Sequence, residues 1–220
     1  MDKLEKQIKL IINIYKSGAL SKAERETKNL IQNNPKIAFL HNLLGIILLD
    51  QKKINEAKKY FEEGLKIDPN FAMIYNNLGL LFTKNNSNRD IVKAEKCYKK
   101  SIELDNSIAE PCNNLGSLYI SLNLYEKAIA CFENAIAKDP NFSFAYFNLG
   151  STFITMGKFS DAKKYLNKSI ELNPENSASH RALSRIIKYT KEEKHLEQLN
   201  NLYNNKNANS DYKLNIGFAL

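Results

Sequence analysis

The chain repeats one pattern of apolar and polar positions. Four glycines mark equivalent points of this pattern, and their spacings are 34, 37 and 34 residues: Gly45, Gly79, Gly116 and Gly150. When residues 38, 72, 109 and 143 are taken as position 1 of a unit, the apolar or small residues at positions 4, 7, 8 and 11 share one side of a helix that turns about 100° per residue. Each unit is therefore predicted to begin with an amphipathic helix, helix A, that packs against a second helix, helix B.

The second half of each unit carries a recurring set of residue types. A small residue comes first, in Ala57, Ala94, Ala128 and Ala162. An aromatic residue follows about one turn later, in Phe61, Tyr98, Phe132 and Tyr165. Proline then ends the unit in Pro69, Pro140 and Pro174, with Asn106 in its place once. Small residues allow helices A and B to approach closely, and proline cannot continue helix B.

These positions are the signature of the tetratricopeptide repeat, and the sequence resembles that family over residues 38–176. The resemblance implies an all-α, right-handed α-solenoid of antiparallel helix pairs, in which stacked units bury the apolar faces that no unit can bury alone. The expected segments are a degenerate N-terminal repeat (1–37), four clear repeats (38–71, 72–108 with a three-residue insertion, 109–142 and 143–176), a degenerate helical pair (177–209) and the start of a further, truncated helix (210–220).

Asparagines recur at helix A positions that line the concave surface of a tetratricopeptide stack. Position 5 holds Asn42, Asn76 and Asn113, and position 6 holds Asn77, Asn114 and Asn148. A carboxamide offers both donors and acceptors, so rows of amides would pair with the backbone of an extended peptide whatever its sequence. The arrangement is similar to the asparagine ladder of the protein O-linked N-acetylglucosamine transferases. The alternative is an Asn-rich chain whose amides bond locally.

Two aromatic residues, Phe144 and Phe147, also fall at concave positions. One interpretation is a pocket for an apolar side chain of a partner. The other is packing against the irregular unit that follows residue 177. Both interpretations stay open at the level of sequence.

The formal net charge of +8 raises the question of nucleic-acid binding. Much of the positive charge lies on helix B, where solvent exposure is expected, whereas the concave positions of the four clear units hold only three charged residues. Phosphate binding needs converging basic residues, so no nucleic-acid partner is expected. No stretch is apolar enough to span a membrane and no secretory signal is evident, so a cytoplasmic protein is predicted.

Residue types capable of catalysis occur without a catalytic pattern. No nucleophile elbow, phosphate-binding loop or zinc-binding motif is present. His41 and His180 both fall at buried position 4, as Cys112 does, and His195 has no acid or nucleophile beside it in the sequence. We therefore predict no enzymatic activity for this segment, no cofactor and no metal site.

The segment from Ser179 onward resembles the junction of bacterial proteins that join tetratricopeptide repeats to a sulfotransferase domain, over about 40 residues that contain His-Arg-x-Leu-Ser, Tyr-Thr and Phe-Ala-Leu. The resemblance implies that this chain is the N-terminal part of a longer, sulfotransferase-like protein, truncated within a helix. The predicted function is binding of an extended polypeptide in the concave groove. The alternative is a self-assembling scaffold that forms a homodimer and binds no peptide.

Overall fold

The computed structural model describes residues 3–85, 88–187, 194–204, 213 and 216–217. Within these ranges the secondary structure is entirely helical, in two compact units. Unit 1, Met1–Asn106, contains α1 (Lys3–Lys16), α2 (Leu20–Asn33), α3 (Ala38–Asp50), α4 (Ile54–Ile67), α5 (Ala72–Asn85) and α6 (Asn88–Leu104). Unit 2, Ser107–Leu220, contains α7 (Glu110–Ser121), α8 (Tyr125–Lys138), α9 (Ser143–Thr155), α10 (Phe159–Leu172), α11 (Ser177–Ser184) and α12 (Lys194–Tyr203).

Consecutive helices pack as antiparallel pairs, and the pairs stack on each other within each unit. Helix α3 packs on α4, α5 on α6, α7 on α8 and α9 on α10. Within unit 1 the first helices of successive pairs, α3 and α5, also touch, and within unit 2 α9 touches both α7 and α11. The predicted fold class, an all-α stack of antiparallel helix pairs, is confirmed.

The glycine of each clear repeat lies where helix B crosses helix A. A Cβ atom placed on Gly79 would lie 2.5 Å from the ring of Tyr98, and one on Gly116 would lie 2.6 Å from the ring of Phe132. A larger side chain at position 8 would therefore have to displace a buried aromatic ring or the backbone. This bears out the sequence-based explanation of the glycines.

The repeat 143–176 departs from the expected aromatic position. Leu166, not Tyr165, packs over Gly150, with Cγ 2.8 Å from where a Cβ would stand. Tyr165 falls one residue early in the helical register and stacks on Phe153 instead, with ring centroids 5.6 Å apart. The prediction that Tyr165 is equivalent to the other three aromatics is wrong, because helical register decides which side chain faces the glycine.

The turn from helix A to helix B has the same backbone conformation in four helix pairs. The second residue after helix A adopts a left-handed conformation in four pairs: Gly18 (φ +80°), Lys52 (φ 62°), Asn123 (φ 57°) and Gly157 (φ +73°). The amide of the next residue then donates to a carbonyl five residues earlier, as from Lys53 N to Leu48 O at 2.9 Å. This is the hydrogen bond of a Schellman motif, which satisfies carbonyls at the helix end.

A hydrogen bond joins successive pairs at position 4. His41 Nε2 donates to Pro35 O at 3.0 Å, Tyr75 Oη to Pro69 O at 3.2 Å, and His180 Nε2 to Pro174 O at 2.8 Å. Both histidines are buried, which confirms their placement in the core, and Cys112 is buried at the same position. We call this contact the proline joint.

The first helix pair is bound to the clear repeat that follows it. Ile11 joins Leu40, Leu43 and Ile47 in one apolar cluster. The Tyr15 hydroxyl donates a hydrogen bond to the carboxylate of Asp50. Burial and this nearby carboxylate raise the pKa of Tyr15 to about 12. The apolar cluster and this hydrogen bond connect α1 to α3.

Part of the sequence-based prediction lies outside the described residues. Of the truncated helix expected at 210–220, only residues 213, 216 and 217 are described, and Ile216 packs against Leu199 of α12. The Asn86–Ser87 part of the insertion is not described either. No helix within the described ranges has both the length and the apolar character needed to cross a bilayer.

Candidate functional site

The predicted asparagines bond to each other between successive A helices. Asn77 Nδ2 on α5 donates to Asn42 Oδ1 on α3 at 2.8 Å. In unit 2, Asn148 Nδ2 on α9 donates to Asn113 Oδ1 on α7 at the same distance. In both pairs a position 6 amide meets the position 5 amide of the preceding repeat, so the two rows form cross-links between helices.

These cross-links change the accessibility of the amides. Asn42, Asn76, Asn77 and Asn113 are buried, whereas Asn114 and Asn148 are half-buried. The expectation of two rows of exposed amides is therefore wrong for the four buried residues, whose polar groups are desolvated and used within the stack. Whether Asn114 and Asn148 contact a peptide stays a prediction.

The inner face of unit 2, by which we mean the concave helix A positions of α7, α9 and α11, is lined by hydroxyl groups. A cavity of about 280 Å³ opens there, lined by Asn148, Ile120, Phe132 and four hydroxyl residues. We call those four, Ser117, Ser151, Thr152 and Thr155, the hydroxyl strip.

Three hydroxyls of the strip already donate within their own helix. Ser117 Oγ donates to Asn113 O at 3.1 Å, Thr152 Oγ1 to Asn148 O at 2.7 Å, and Thr155 Oγ1 to Ser151 O at 3.2 Å. A hydroxyl oxygen that donates its hydrogen keeps lone pairs that accept. The exposed Ser117 and Thr155 therefore offer acceptors that suit the N–H groups of another backbone, whereas Thr152 is buried.

A second, larger cavity adjoins the strip between α9 and α11. Its volume is about 610 Å³, and Ser151 and Thr155 line it as well as the first cavity. Phe147 and Ile154 form an apolar side, and Arg181 and Arg185 extend from the α11 side. The two cavities share Ser151 and Thr155 in their linings, and we call them together the channel.

The structure separates the two aromatic residues that the sequence grouped. Phe147 is half-buried against the cluster of Leu166, Ile170 and Leu183, and its remaining surface lines the larger cavity. Phe144 is 56% exposed and meets only the edge of Phe142 among the ring contacts of the described residues. Packing against the helix after residue 177 thus applies to Phe147, and exposure applies to Phe144.

Sequence reasoning missed a histidine pair in unit 2. His180 Nδ1 lies 2.8 Å from His195 Nε2, and the ring planes differ by 8°. Because the Pro174 carbonyl only accepts, His180 carries its proton on Nε2, and its Nδ1 accepts from His195 Nε2–H. Burial lowers the pKa of both rings, and the pKa of His195 falls to about 4. Fifteen residues separate the two in sequence, so no local pattern reveals the pair.

The cysteines have the character of core side chains. Burial raises the pKa of the Cys97 thiol to about 11 and that of Cys112 above its usual value. Thiols in this state are poor nucleophiles, since the thiolate is the reactive form. No set of three or more potential metal ligands comes together within the described part of the chain.

The paired helices and the glycine crossings form the fold of the tetratricopeptide repeat. The sequence model of the tetratricopeptide-repeat family matches residues 38–71, 109–142 and 143–176 of this chain. A curated relative, the uncharacterized protein ycf37 of Pyropia yezoensis, is 34% identical over 65 residues, which are 30% of this chain and 36% of that protein. The match thus spans about a third of the relative's length.

Solved structures share the fold at low identity. A thermophilic tetratricopeptide-repeat protein of Thermus thermophilus superposes with a TM-score of 0.72 at 16% identity, over 83% of this chain and 98% of the other. YrrB, described as a tetratricopeptide-repeat protein with an unusual peptide-binding site, has a TM-score of 0.55 at 19% identity, over 80% and 89% of the two chains. At these identities the likeness establishes the fold.

Proposed function

We propose that this protein is a protein-interaction module that binds an extended polypeptide segment along the inner face of unit 2. The observation that carries the proposal is the hydroxyl strip, which lies at the boundary of two contiguous cavities. An extended chain presents its N–H groups at regular intervals and can pair them with these acceptors. The peptide-binding site named for YrrB lends support to this use of the fold.

The asparagines take two roles in this proposal. Asn114 and Asn148 are half-buried on the inner face, and Asn148 lines the smaller cavity, so these two amides contact the peptide directly. Asn42, Asn77 and Asn113 hold successive A helices in register through their hydrogen bonds, and Asn76 donates to Asn77 beside them. Phe147 and the exposed Phe144 supply apolar contact surface beside the strip.

Substitution of Ser151 tests the proposal, because this residue lines both cavities. A random peptide library displayed on phage is selected against the purified chain, and the affinity of the enriched peptides is measured by fluorescence anisotropy. Ser151→Leu fills the channel and is expected to weaken binding by about tenfold or more, the equivalent of about 1.4 kcal/mol.

The matched control is Ser160→Leu, which introduces the same side chain at an exposed position of α10 outside both cavities. This variant is expected to bind as the unmodified protein does. Equal loss in both variants, or no loss in Ser151→Leu, would place the peptide elsewhere and contradict the proposal.

A longer parent protein is a separate proposal. The resemblance of the segment from Ser179 to a sulfotransferase junction supports it, and the channel would then present a polypeptide to that catalytic domain. Reading the coding sequence beyond Leu220 tests this directly: a sulfate-donor binding loop downstream supports it, and an immediate stop codon contradicts it.

Self-assembly is the competing function from the sequence. The exposed Tyr203 on α12 favours self-assembly, because this side chain offers a large apolar contact surface. Light scattering of the chain with and without residues 211–220 distinguishes the two functions, because a dimer lost on truncation supports assembly through this end.

A further inference from the structure

The larger cavity of unit 2 has one charged side and one apolar side. Arg181 of α11 and Arg185, the residue directly after this helix, are four residues apart and line the same side of the cavity, and both are exposed. Opposite them, Phe147 and Ile154 of α9 are half-buried and present apolar surface. From this arrangement we propose that the channel selects peptides carrying an acidic side chain next to an apolar one, with the carboxylate held by the two arginines. This inference rests on the proposed function and specifies its ligand.

The charge of the cavity lining is positive. None of the described residues that line it is acidic, and a guanidinium stays protonated at any physiological pH. Arg185 and Arg181 place two cations at the same side of the cavity. A planar guanidinium matches a carboxylate with two parallel hydrogen bonds, which is the pairing that gives arginine its selectivity.

Small residues make room for the ligand beside the arginines. Ala178 and Ala182 alternate with the arginines along α11 and also line the cavity. The volume of about 610 Å³ lies within the range of pockets that enclose ligands. A side-chain carboxylate can therefore reach the guanidinium groups while the neighbouring apolar side chain rests on Phe147.

Continuity with the hydroxyl strip fixes the kind of ligand. Ser151 and Thr155 belong to both cavities, so a backbone lying along the strip leads directly to the arginines. The two contacts have different chemistry: the strip accepts from backbone N–H groups, and the arginines donate to a carboxylate. A polypeptide satisfies both, whereas the sugar-phosphate backbone of a nucleic acid carries no N–H groups that could pair with the strip.

Peptide selection with arginine variants tests the inference. The same displayed library, with the peptide C-termini fused so that only side-chain carboxylates are available, is selected against the unmodified chain and against Arg181→Gln/Arg185→Gln. We expect Asp and Glu to be enriched next to aromatic or branched aliphatic residues with the unmodified chain, and this enrichment to disappear with the variant. A synthetic, amidated acidic peptide from the first selection should bind the variant about tenfold more weakly, as expected for a charge-assisted pair.

A matched control separates specific pairing from general attraction to a basic protein. Lys163→Gln/Lys164→Gln removes two charges from the exposed side of α10 in the same unit, outside the cavity. The acidic peptide should bind this control within about twofold of the unmodified protein, because exposed charges at a distance are screened by salt. Arg185→Lys, which keeps the charge and loses the planar fork, should restore only part of the affinity. Thermal melting by circular dichroism verifies that each variant is folded.

Each outcome bears on one of the two proposals. Peptides that are enriched without acidic residues, and that bind the arginine variant normally, would overturn this inference and leave peptide binding intact. Absence of any enriched peptide would overturn both. Equal loss of binding in the lysine control would overturn the inference by showing that net charge alone attracts the ligand. A single-stranded RNA oligonucleotide that displaces the acidic peptide through the arginines at physiological salt would overturn it in favour of a phosphate ligand.

Discussion

The inner faces of the two units use the same helix positions for different purposes. In unit 1, position 6 of α3 is Leu43, which is buried, and position 9 is Ile46 on α3 and Leu80 on α5. In unit 2, position 9 is Ser117 on α7 and Ser151 on α9, and both line a cavity. The same pairing of helices thus supports a packed apolar face in one unit and an open polar face in the other.

The inner faces of the two units differ because different residues pack beside them. In unit 1 the helix α1 contributes Ile11 to the cluster that contains Leu43, and Tyr15 binds Asp50 at the end of α3. In unit 2 a cavity lies between α9 and the α11 side, and its lining includes hydroxyl, apolar and arginine side chains. The comparison teaches that a repeat signature determines the scaffold, while the residues at positions 6, 9 and 13 determine whether a face binds a ligand or packs.

Overpacking the glycine crossing should damage both units alike. Gly116→Leu forces a side chain against the Phe132 ring and is expected to lower the free energy of unfolding by about 3 kcal/mol, and Gly45→Leu should do the same against Phe61. Urea titration monitored by circular dichroism measures the loss. The control Ser117→Leu places the same side chain at an exposed position one residue away and should change stability by no more than about 0.5 kcal/mol. If only one of the two glycines proves sensitive, the crossings differ in spite of their geometry.

Removing the cross-linking amides should affect the two units differently. Asn77→Ala leaves Asn42 Oδ1 without its donor in a buried site and is expected to cost about 2 kcal/mol. Asn148→Ala removes the equivalent donor to Asn113, but the adjoining cavity admits water as a substitute, so the cost should be about 0.5–1 kcal/mol. Urea titration of both variants gives the comparison. Equal losses would mean that the unit 2 cavity does not hydrate the amide.

Acidification should affect the histidine pair of unit 2. Burial lowers the pKa of His195 to about 4 in the folded protein, so on acidification the unfolded chain binds a proton at this residue before the folded chain does. The free energy of unfolding therefore decreases as the pH falls from about 6.5 towards 4. Taken at face value, this lowered pKa corresponds to a decrease of roughly 2 kcal/mol in the free energy of unfolding between pH 7 and 5. Because His195 is partly exposed, we expect a decrease of about 1 kcal/mol.

His195→Gln provides the control for this pH dependence. The amide keeps a donor near His180 Nδ1 and cannot titrate, so the loss of stability between pH 7 and 5 should shrink by about 1 kcal/mol. Urea titrations at the two pH values measure it. An unchanged pH dependence would show that other groups account for the titration.

The repeating framework could be predicted from the sequence, because its determinants are local and recur. The spacing of glycines, the small residues and the prolines each reports a steric requirement that one helix pair imposes on itself. The placement of His41 and His180 in the core followed from the same register. The prediction that Tyr165 is equivalent to the other three aromatic residues was wrong. Tyr165 lies one residue too early in the helix to face Gly150, and Leu166 contacts this glycine instead.

The site was harder to predict, because it depends on contacts between repeats. The pattern correctly placed asparagines on one side of helix A, yet their mutual hydrogen bonds depend on distances between helices, and four of the six amides are buried. The arginines lie in a repeat that has lost the family pattern, so no signature identified α11 as the wall of a cavity. The pairing of His180 with His195 likewise depends on how α12 meets α11.

The proline joint has a consequence for how such a chain can lengthen. Its acceptor is a main-chain carbonyl, and either an imidazole or a phenol serves as the donor, as His41 and Tyr75 illustrate. A duplicated segment that carries both the proline and a donor at position 4 therefore brings this hydrogen bond to its new border. Duplication within the gene can then add a whole repeat in one event, and its inner face can diversify on a scaffold that is already joined.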